Sequence, residues 1–314
     1  MDNTVLCVVG PTACGKTKMG VALAKRFRGE VVSVDSMQLY RGMAIGTAAP
    51  TAEEMEGIPH HMVAVADPRE SWSAARYAAE ADKCVQDILR RGKRPVLVGG
   101  TGLYLDALVR GTDFAAGSQG GATRQHLQQR MEREGAAALL AELQTIDPAA
   151  AARLHLRDEK RIVRALEVYY ETGETITEHD RKSRETPPRY RALRIGLAFR
   201  DRADMWARID RRVDDMVAQG LLQEVETLLQ SGLPRDATAL QAIGYKQFLA
   251  VGEGRAPVDE AIAEVKLRSR QYAKRQLTWL RRDEDIHWIL WEKTPDFPAG
   301  LQNATEFLLS AGVC

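Results

Sequence analysis

The sequence predicts an α/β fold: a core built on a phosphate-binding loop with a mostly parallel sheet, plus a helical insertion domain. Three observations carry that prediction. In "TVLCVVGPTACGKTKMG" a β-branched apolar run leads into a loop and then into a helical pattern. Gly10, Gly15, Lys16 and Thr17 in that loop satisfy G-x-x-x-x-G-K-[ST] without mismatch. Strand and helix patterns then alternate through residue 110, the arrangement that folds into a parallel sheet covered by helices. Beyond 110 the composition changes abruptly: "GTDFAAGSQGGATRQ" (111–125) is rich in Gly, Ala and Ser, and the chain after it is helical.

Residues 4–9 form a short apolar run ending in Gly-Pro, which reads as a buried strand feeding the loop. After the loop, Met19, Leu23 and Phe27 recur at helical spacing. "EVVSVD" (30–35) is a second buried strand ending in an acid. "SWSAARYAAEADKCVQDILRRG" is a helix with Tyr77, Ala81, Cys84 and Ile88 on one face and Gly92 as its stop. "PVLVGGTGLYLDALV" is a strand, a glycine turn and a helix. From 123 to 180 the pattern is helical. A Pro-Pro break then precedes a strand over 193–199. "ADMWARIDRRVDDMVAQGLLQEVETLLQSG" and "VDEAIAEVKLRSRQYAKRQLTWLRR" read as two long helical stretches. The expected organisation is a core of residues 1–112 and 195–314, interrupted by a helical insertion at 113–194.

The chain has 314 residues, 45% of them hydrophobic and 28% charged, enough to bury a core of one large domain or two ordinary ones. The four cysteines, Cys7, Cys14, Cys84 and Cys314, form no CxxC pair, so reduced thiols are expected in place of a zinc site or a disulfide framework. No run of about 18 apolar residues exists, so no membrane span is expected. The N-terminus goes directly into a strand with an acidic second residue, which argues against a secretory signal and for the cytoplasm. The net charge of +1 gives no global reason to expect nucleic acid, but the positive charge is gathered locally. "VKLRSRQYAKRQLTWLRR" (265–282) carries Lys266, Arg268, Arg270, Lys274, Arg275, Arg281 and Arg282 with no acid, and Tyr272 and Trp279 lie among them. That mixture suits a phosphate backbone and splayed bases. It also suits an amphipathic helix with Leu267, Tyr272, Leu277 and Leu280 in the core. Residues 157–168 and 181–194 are two further basic segments.

The loop motif holds phosphate because its N–H groups converge at a helix N-terminus and Lys16 adds a point charge. Such loops usually hold ATP or GTP, but the physics requires only phosphate oxygens. Thr17 can ligate magnesium or bond a phosphate. Asp35 ends the second strand and is aimed at the crevice outside the strand carboxyl ends. It can act as a magnesium ligand, as a general base or as a helix cap. Thr101, in "VGGTGLY", starts a helix near the same crevice, where an N-cap role serves equally well. Arg208 and Arg212 share one helix face, for which solvation is the default.

The order "GPTACGKT", "VDSMQLYRGMAIGTAAP", "GIPHHMV", "VLVGGTGLYL", "RDEKRIVRALEVY", "ALQAIGYKQF" and "YAKRQLTWLRR" resembles the bacterial tRNA dimethylallyltransferases, from about residue 5 to residue 290. The resemblance implies transfer of a dimethylallyl group from dimethylallyl diphosphate to N6 of the adenosine 3′ of the anticodon. It implies Asp35 as the general base and the stretch Gly10, Pro11, Thr12, Ala13, Cys14, Gly15, Lys16, Thr17 as the diphosphate cradle. Thr101 is implied near the reacting nucleotide, Arg212 on the diphosphate, and Mg2+ with Thr17 as its ligand. Implied contacts with the tRNA anticodon stem-loop are Asp35, Ser36, Met37, Gln38, Thr101 and Arg124, then Glu159, Lys160, Arg161, Ile162 and Val163. Further contacts are implied for Gln241, Ala242, Ile243, Gly244, Tyr245 and Lys246, and for Lys274, Arg275, Gln276, Leu277, Thr278, Trp279, Leu280 and Arg281. The target base would leave its stack to reach the site, and the insertion would close over the anticodon loop. A monomer is the simplest expectation.

The chain departs from the family pattern at Ala49, where a lysine is common, at "LHLRD" (154–158) for "LHPND", and in its glycine-rich hinge. A small-molecule kinase would share the loop and Asp35 but gives no reason for the basic segments. A prenyltransferase acting on free AMP would not need the insertion. A non-catalytic RNA-binding protein would not need Lys16, Thr17, Asp35 and Thr101 together.

Overall fold

The computed structural model describes residues 3–112 and 121–314. Most of the expected hinge falls on 113–120, outside the described residues, and its last four residues are already helical. Two compact units emerge: Met1–Gly111 with Arg189–Cys314, and Thr112–Pro188.

In the first unit the chain runs β1 (Thr4–Val9), α1 (Lys16–Arg26), β2 (Gly29–Val34), α2 (Ala52–Met55), β3 (His60–His61), α3 (Ala74–Arg90), β4 (Arg94–Gly99) and α4 (Gly102–Arg110). The second unit holds α5 (Ala122–Ile146), α6 (Pro148–Ala151), α7 (Glu159–Thr172) and α8 (Ile176–Glu185). The first unit resumes with β5 (Arg191–Phe199), α9 (Arg202–Ala218), α10 (Leu221–Gln230), a 3-10 turn (Thr238–Gln241), α11 (Tyr245–Gly252), α12 (Val258–Leu280), β6 (Ile286–Trp291) and α13 (Phe297–Ser310).

The six strands lie parallel in the order β3-β2-β4-β1-β5-β6. Central β1 has Leu6 opposite Val96 of β4 and Leu193 of β5, and it is buried along its whole length. That is why it reads as a continuous apolar run and not as an alternating one. Leu6, Val8, Met19, Leu23, Val96, Ile195, Leu197 and Trp291 share one core cluster. Tyr77, Ala81 and Ile88 of α3 are buried as their spacing predicts, and Cys84 is half-buried.

Two boundaries differ from expectation. The first long helical stretch is two helices, α9 and α10, because Gly220 adopts φ 100° and ends the run. Periodicity cannot show this, since apolar residues continue on both sides. Residues 191–194 stand in β5, paired from Thr4↔Arg191 onward, although the expected insertion span includes them.

In the second unit α5 packs along α7, and Leu127, Leu139, Leu143, Ile162 and Leu166 form its core. Glu167 is fully buried there and accepts from Arg124 at 2.6 Å and Arg164 at 2.7 Å.

At the amino end of β2, Glu30 is 2% exposed and accepts bonds from Arg91, Lys93 and His61. The Arg91 bonds hold its carboxyl well below the usual carboxylate range, with Lys93 and His61 adding and burial opposing. Removing this carboxylate takes the shared acceptor from Arg91, Lys93 and His61, but Arg91 keeps Asp87 and the partners reach solvent, so Glu30→Ala is expected to cost about 2 kcal/mol of stability at neutral pH. A folded-state pKa below the unfolded value means this contribution is full above the unfolded pKa of about 4.3 and fades as pH falls through the folded one. Chemical denaturation of both proteins should therefore show their stability difference shrinking below about pH 4; a constant difference would refute the assignment. Among the described residues no helix is long and apolar enough to cross a membrane.

Candidate active site

Because the strands are parallel, their carboxyl ends open onto one side, and three loops meet there. The first follows β1. Its helix, α1, begins at Lys16 with no acidic residue in the first turn and no side-chain cap, which leaves its first N–H groups for an anion. Lys16 Nζ donates to Pro11 O at 2.7 Å, and Arg212 Nη1 donates to Thr12 Oγ1 at 3.3 Å. Among the described residues no ion pair engages Lys16 or Arg212, so the crevice holds two cations without a carboxylate bound to either. Burial pushes the Lys16 ammonium below its ordinary value, and nearby Arg212 pushes the same way, while Cys14 and Asp35 oppose. Burial likewise lowers Arg212.

The second loop follows β2. Asp35 Oδ1 accepts from the N–H groups of Met37 at 2.8 Å and Gln38 at 3.3 Å. Both turn bonds fall on one oxygen of the carboxylate, so turn-forming and chemical roles are compatible in this side chain. The third loop follows β4. Thr101 occupies the cap position of α4 but makes no side-chain cap bond. Its Oγ1 accepts from Ser36 N–H at 3.3 Å, and its own N–H donates to Val34 O at 3.2 Å, tying the ends of β2 and β4 together. A cavity of about 800 Å³ is lined by Thr12, Ala13, Gly15, Lys16, Thr17, Asp35, Ser36, Met37, Gln38 and Arg212, together with parts of α12 and the 241–244 segment. The arrangement can hold a phosphate chain at Lys16 and Arg212 with a carboxylate facing the same space.

The sequence model of the IPP transferase family matches residues 38–283. The chain belongs to the IPP transferase family. It is 40% identical over 313 residues to the tRNA dimethylallyltransferase of Acetivibrio thermocellus, covering 100% of this chain and 99% of that one. It is 45% identical over 284 residues to the tRNA dimethylallyltransferase of Thermomicrobium roseum, covering 90% and 85%. The crystal structure of the full-length tRNA isopentenylpyrophosphate transferase from Bacillus halodurans superposes with a TM-score of 0.72 at 40% identity, over 98% of this chain and 96% of that one. A eukaryotic dimethylallyltransferase acting on tRNA superposes with a TM-score of 0.80 at 30% identity, over 97% and 77%.

In this IPP transferase family chain several residues support the crevice in ways that sequence patterns do not reveal. Buried Gln276 of α12 accepts from Thr12 N–H at 3.0 Å and donates to Gly100 O at 3.0 Å, so it joins the phosphate loop to the β4 turn. Arg208, expected to be solvated, donates from Nε to Ala13 O at 3.3 Å and lies over the Phe199 ring. Arg212 leaves the solvated face as well. Trp291 Nε1 donates to Cys14 O at 3.0 Å, and Phe297 packs on Gly15 beneath Lys18. The C-terminal residues, which carry no motif, thus brace the loop. Burial raises the Tyr272 hydroxyl, with Asp35 adding and its contacts with Thr101 and Gln276 opposing.

Gln241, Ala242, Ile243 and Gly244 line the cavity, Tyr245 is buried and Lys246 is exposed. On α12, Lys274, Arg275 and Thr278 are exposed, as is Arg281 just after it, Gln276 and Leu280 are buried, Leu277 is half-buried and Trp279 packs on Gly102. Leu267, expected as core if α12 were merely amphipathic, is 40% exposed. In the second unit Glu159, Lys160 and Arg161 are exposed on the first turn of α7, whereas Ile162 and Val163 are core. Arg124 is engaged by Glu167.

Proposed function

We propose that this chain transfers the dimethylallyl group of dimethylallyl diphosphate to N6 of the adenosine 3′ of the anticodon in tRNA, releasing diphosphate. The observation that carries this reading is one cavity with Asp35 on one wall and the unpaired cations Lys16 and Arg212 on another. The N6 lone pair attacks C1 of the donor, the C1–O bond breaks, and the electron pair leaves with diphosphate. Asp35 takes the N6 proton. Lys16, Arg212 and the N–H groups opening α1 receive the charge that develops on the leaving group. Thr101 and Ser36 to Gln38 hold the adenosine beside Asp35. Because a stacked base cannot reach such a cavity, the nucleotide is taken out of its stack.

The donor set also bears on magnesium. Among the described residues no group of three or more His, Cys, Asp or Glu gathers to hold a metal. The neutral hydroxyl of Thr17 lines the cavity. That set fits a Mg2+ ion held chiefly by water and substrate phosphate oxygens, with Thr17 as a protein ligand. When bound, the ion would add electrophilic charge to the leaving diphosphate.

Exposed Glu159, Lys160, Arg161, Gln241, Lys246, Lys274, Arg275 and Arg281 are assigned to tRNA contact, and buried Ile162, Val163, Ala242, Tyr245 and Leu280 to holding those segments in shape. A tRNA substrate implies action in the cytoplasm. Purified protein with magnesium, dimethylallyl diphosphate and unmodified tRNA should give N6-prenylated tRNA without ATP. A requirement for ATP, or preference for free AMP as acceptor, would overturn the reading. Lys274→Ala should weaken tRNA binding and reduce its log–log salt slope by about 1 while leaving KM for dimethylallyl diphosphate unchanged. Equal loss of both affinities would make α12 a structural element instead.

A further inference from the structure

We propose that Glu224 is a positioning residue, clamping the loop that orients the Asp35 turn to the segment assigned to tRNA; the proposal rests on the function proposed above. Glu224 lies on α10 and is absent from every motif in the sequence. Its Oε2 accepts from Ile45 N–H at 2.9 Å, and its Oε1 accepts from Gly46 N–H at 3.0 Å and from the Tyr245 hydroxyl at 2.5 Å. One carboxylate therefore satisfies three donors on two separate parts of the chain. The Tyr245 ring lies so close to the loop that a Cβ at position 46 would come within 2.5 Å of it, which requires glycine there. Burial and the neighbouring carboxylate push the Tyr245 hydroxyl far above its ordinary value, so it remains a donor.

The clamped loop has a direct line to Asp35. The carbonyls of Thr47 and Ala48 accept from Gln38 Nε2 at 3.4 and 3.1 Å. Gln38 Oε1 accepts from Ser33 Oγ at 2.8 Å, which fixes the orientation of the amide. Gln38 N–H donates in turn to Asp35 Oδ1. Gly46, Thr47 and Ala48 line the same cavity as Asp35, and so do Gln241 to Gly244, the residues immediately before Tyr245. Glu224 itself does not line it. A carboxylate is the group this place needs: it offers acceptors on both oxygens and no donor. A glutamine of the same shape turns an N–H toward one of the backbone N–H groups, and two donors then face each other.

The test compares Glu224→Gln and Glu224→Ala with the wild type in transfer kinetics, melting temperature and amide hydrogen exchange at Ile45 and Gly46. Displacing a reacting group by about 1 Å costs on the order of 100-fold, so kcat should fall by roughly 10- to 100-fold. KM for dimethylallyl diphosphate should stay unchanged, because the phosphate loop is not touched. Exchange at the two amides should quicken, and the Glu224→Gln melting temperature should fall by only a few degrees, the cost of one donor left without an acceptor. Wild-type kcat in Glu224→Gln would overturn the proposal. So would a joint fall of kcat, diphosphate affinity and melting temperature, which would mark a structural role. If Glu224→Ala fails to fold, the isosteric Glu224→Gln decides. A wild type that transfers nothing to tRNA sinks the proposed function itself, whereas failure of the positioning role appears only as an active wild type matched by its variants.

Discussion

Asp35→Asn is expected to lower the single-turnover rate of prenyl transfer by roughly 10²–10⁴-fold, the span of a lost general base. Asparagine is the informative substitution because its side-chain oxygen can still accept from Met37 and Gln38 N–H, as Oδ1 does in the native turn. The turn survives and only the proton acceptor is lost. Binding of dimethylallyl diphosphate, read by calorimetry, should be unaffected. A near-normal rate in Asp35→Asn would move the base elsewhere. Asp35→Ala should lose as much rate and should also loosen residues 36–38, since it removes both turn bonds.

Lys16→Met is expected to lower kcat/KM for dimethylallyl diphosphate by roughly 10²–10³-fold, the cost of one donor aimed at developing charge in a water-poor site. Affinity for tRNA should not change. The pH dependence supplies a second check. Burial lowers the Lys16 ammonium from its ordinary value. The protonated form binds the donor, so diphosphate affinity in the wild type should fall as pH rises through that lowered pKa. Lys16→Met has no such group and should lose this alkaline limb. Persistence of the limb in the variant would assign it to another residue.

The two replacements separate the halves of the cavity. On the proposed function, the carboxylate variant should change the chemical step and the cation variant the handling of the leaving group. Gln276, in the cavity wall, and Glu224, outside it, hydrogen-bond loops that the sequence presents far apart.

How much of this was legible in the sequence depends on the range of the contacts involved. The strand over Thr4–Val9, the loop after it and α1 follow from neighbouring residues, because glycine conformations, apolar runs and helix starts are local properties. Asp35 could be placed at the mouth of the site for the same reason: it follows a strand directly, and parallel strands open their carboxyl ends to one side. The basic character of α12 was equally plain. Inward Leu280 follows from the amphipathic spacing, but exposed Leu267 and inward Gln276 do not, since helical spacing alone does not say where the face that meets the core begins and ends. Gly220 was passed over because apolar residues continue across it, so that only its backbone angle marks the break.

By itself, then, the sequence determined the α/β class, the phosphate loop, the acid beside it and, through motifs in order, the family. Only the tertiary structure decided what steadies those groups. Gln276 meets Thr12 across 264 positions, Arg212 meets the same residue across 200, and Glu224 reaches Gly46 across 178. A hydrogen bond over such separations leaves no periodic trace in the chain; it exists because the sheet and its helices bring the ends of distant elements into one crevice.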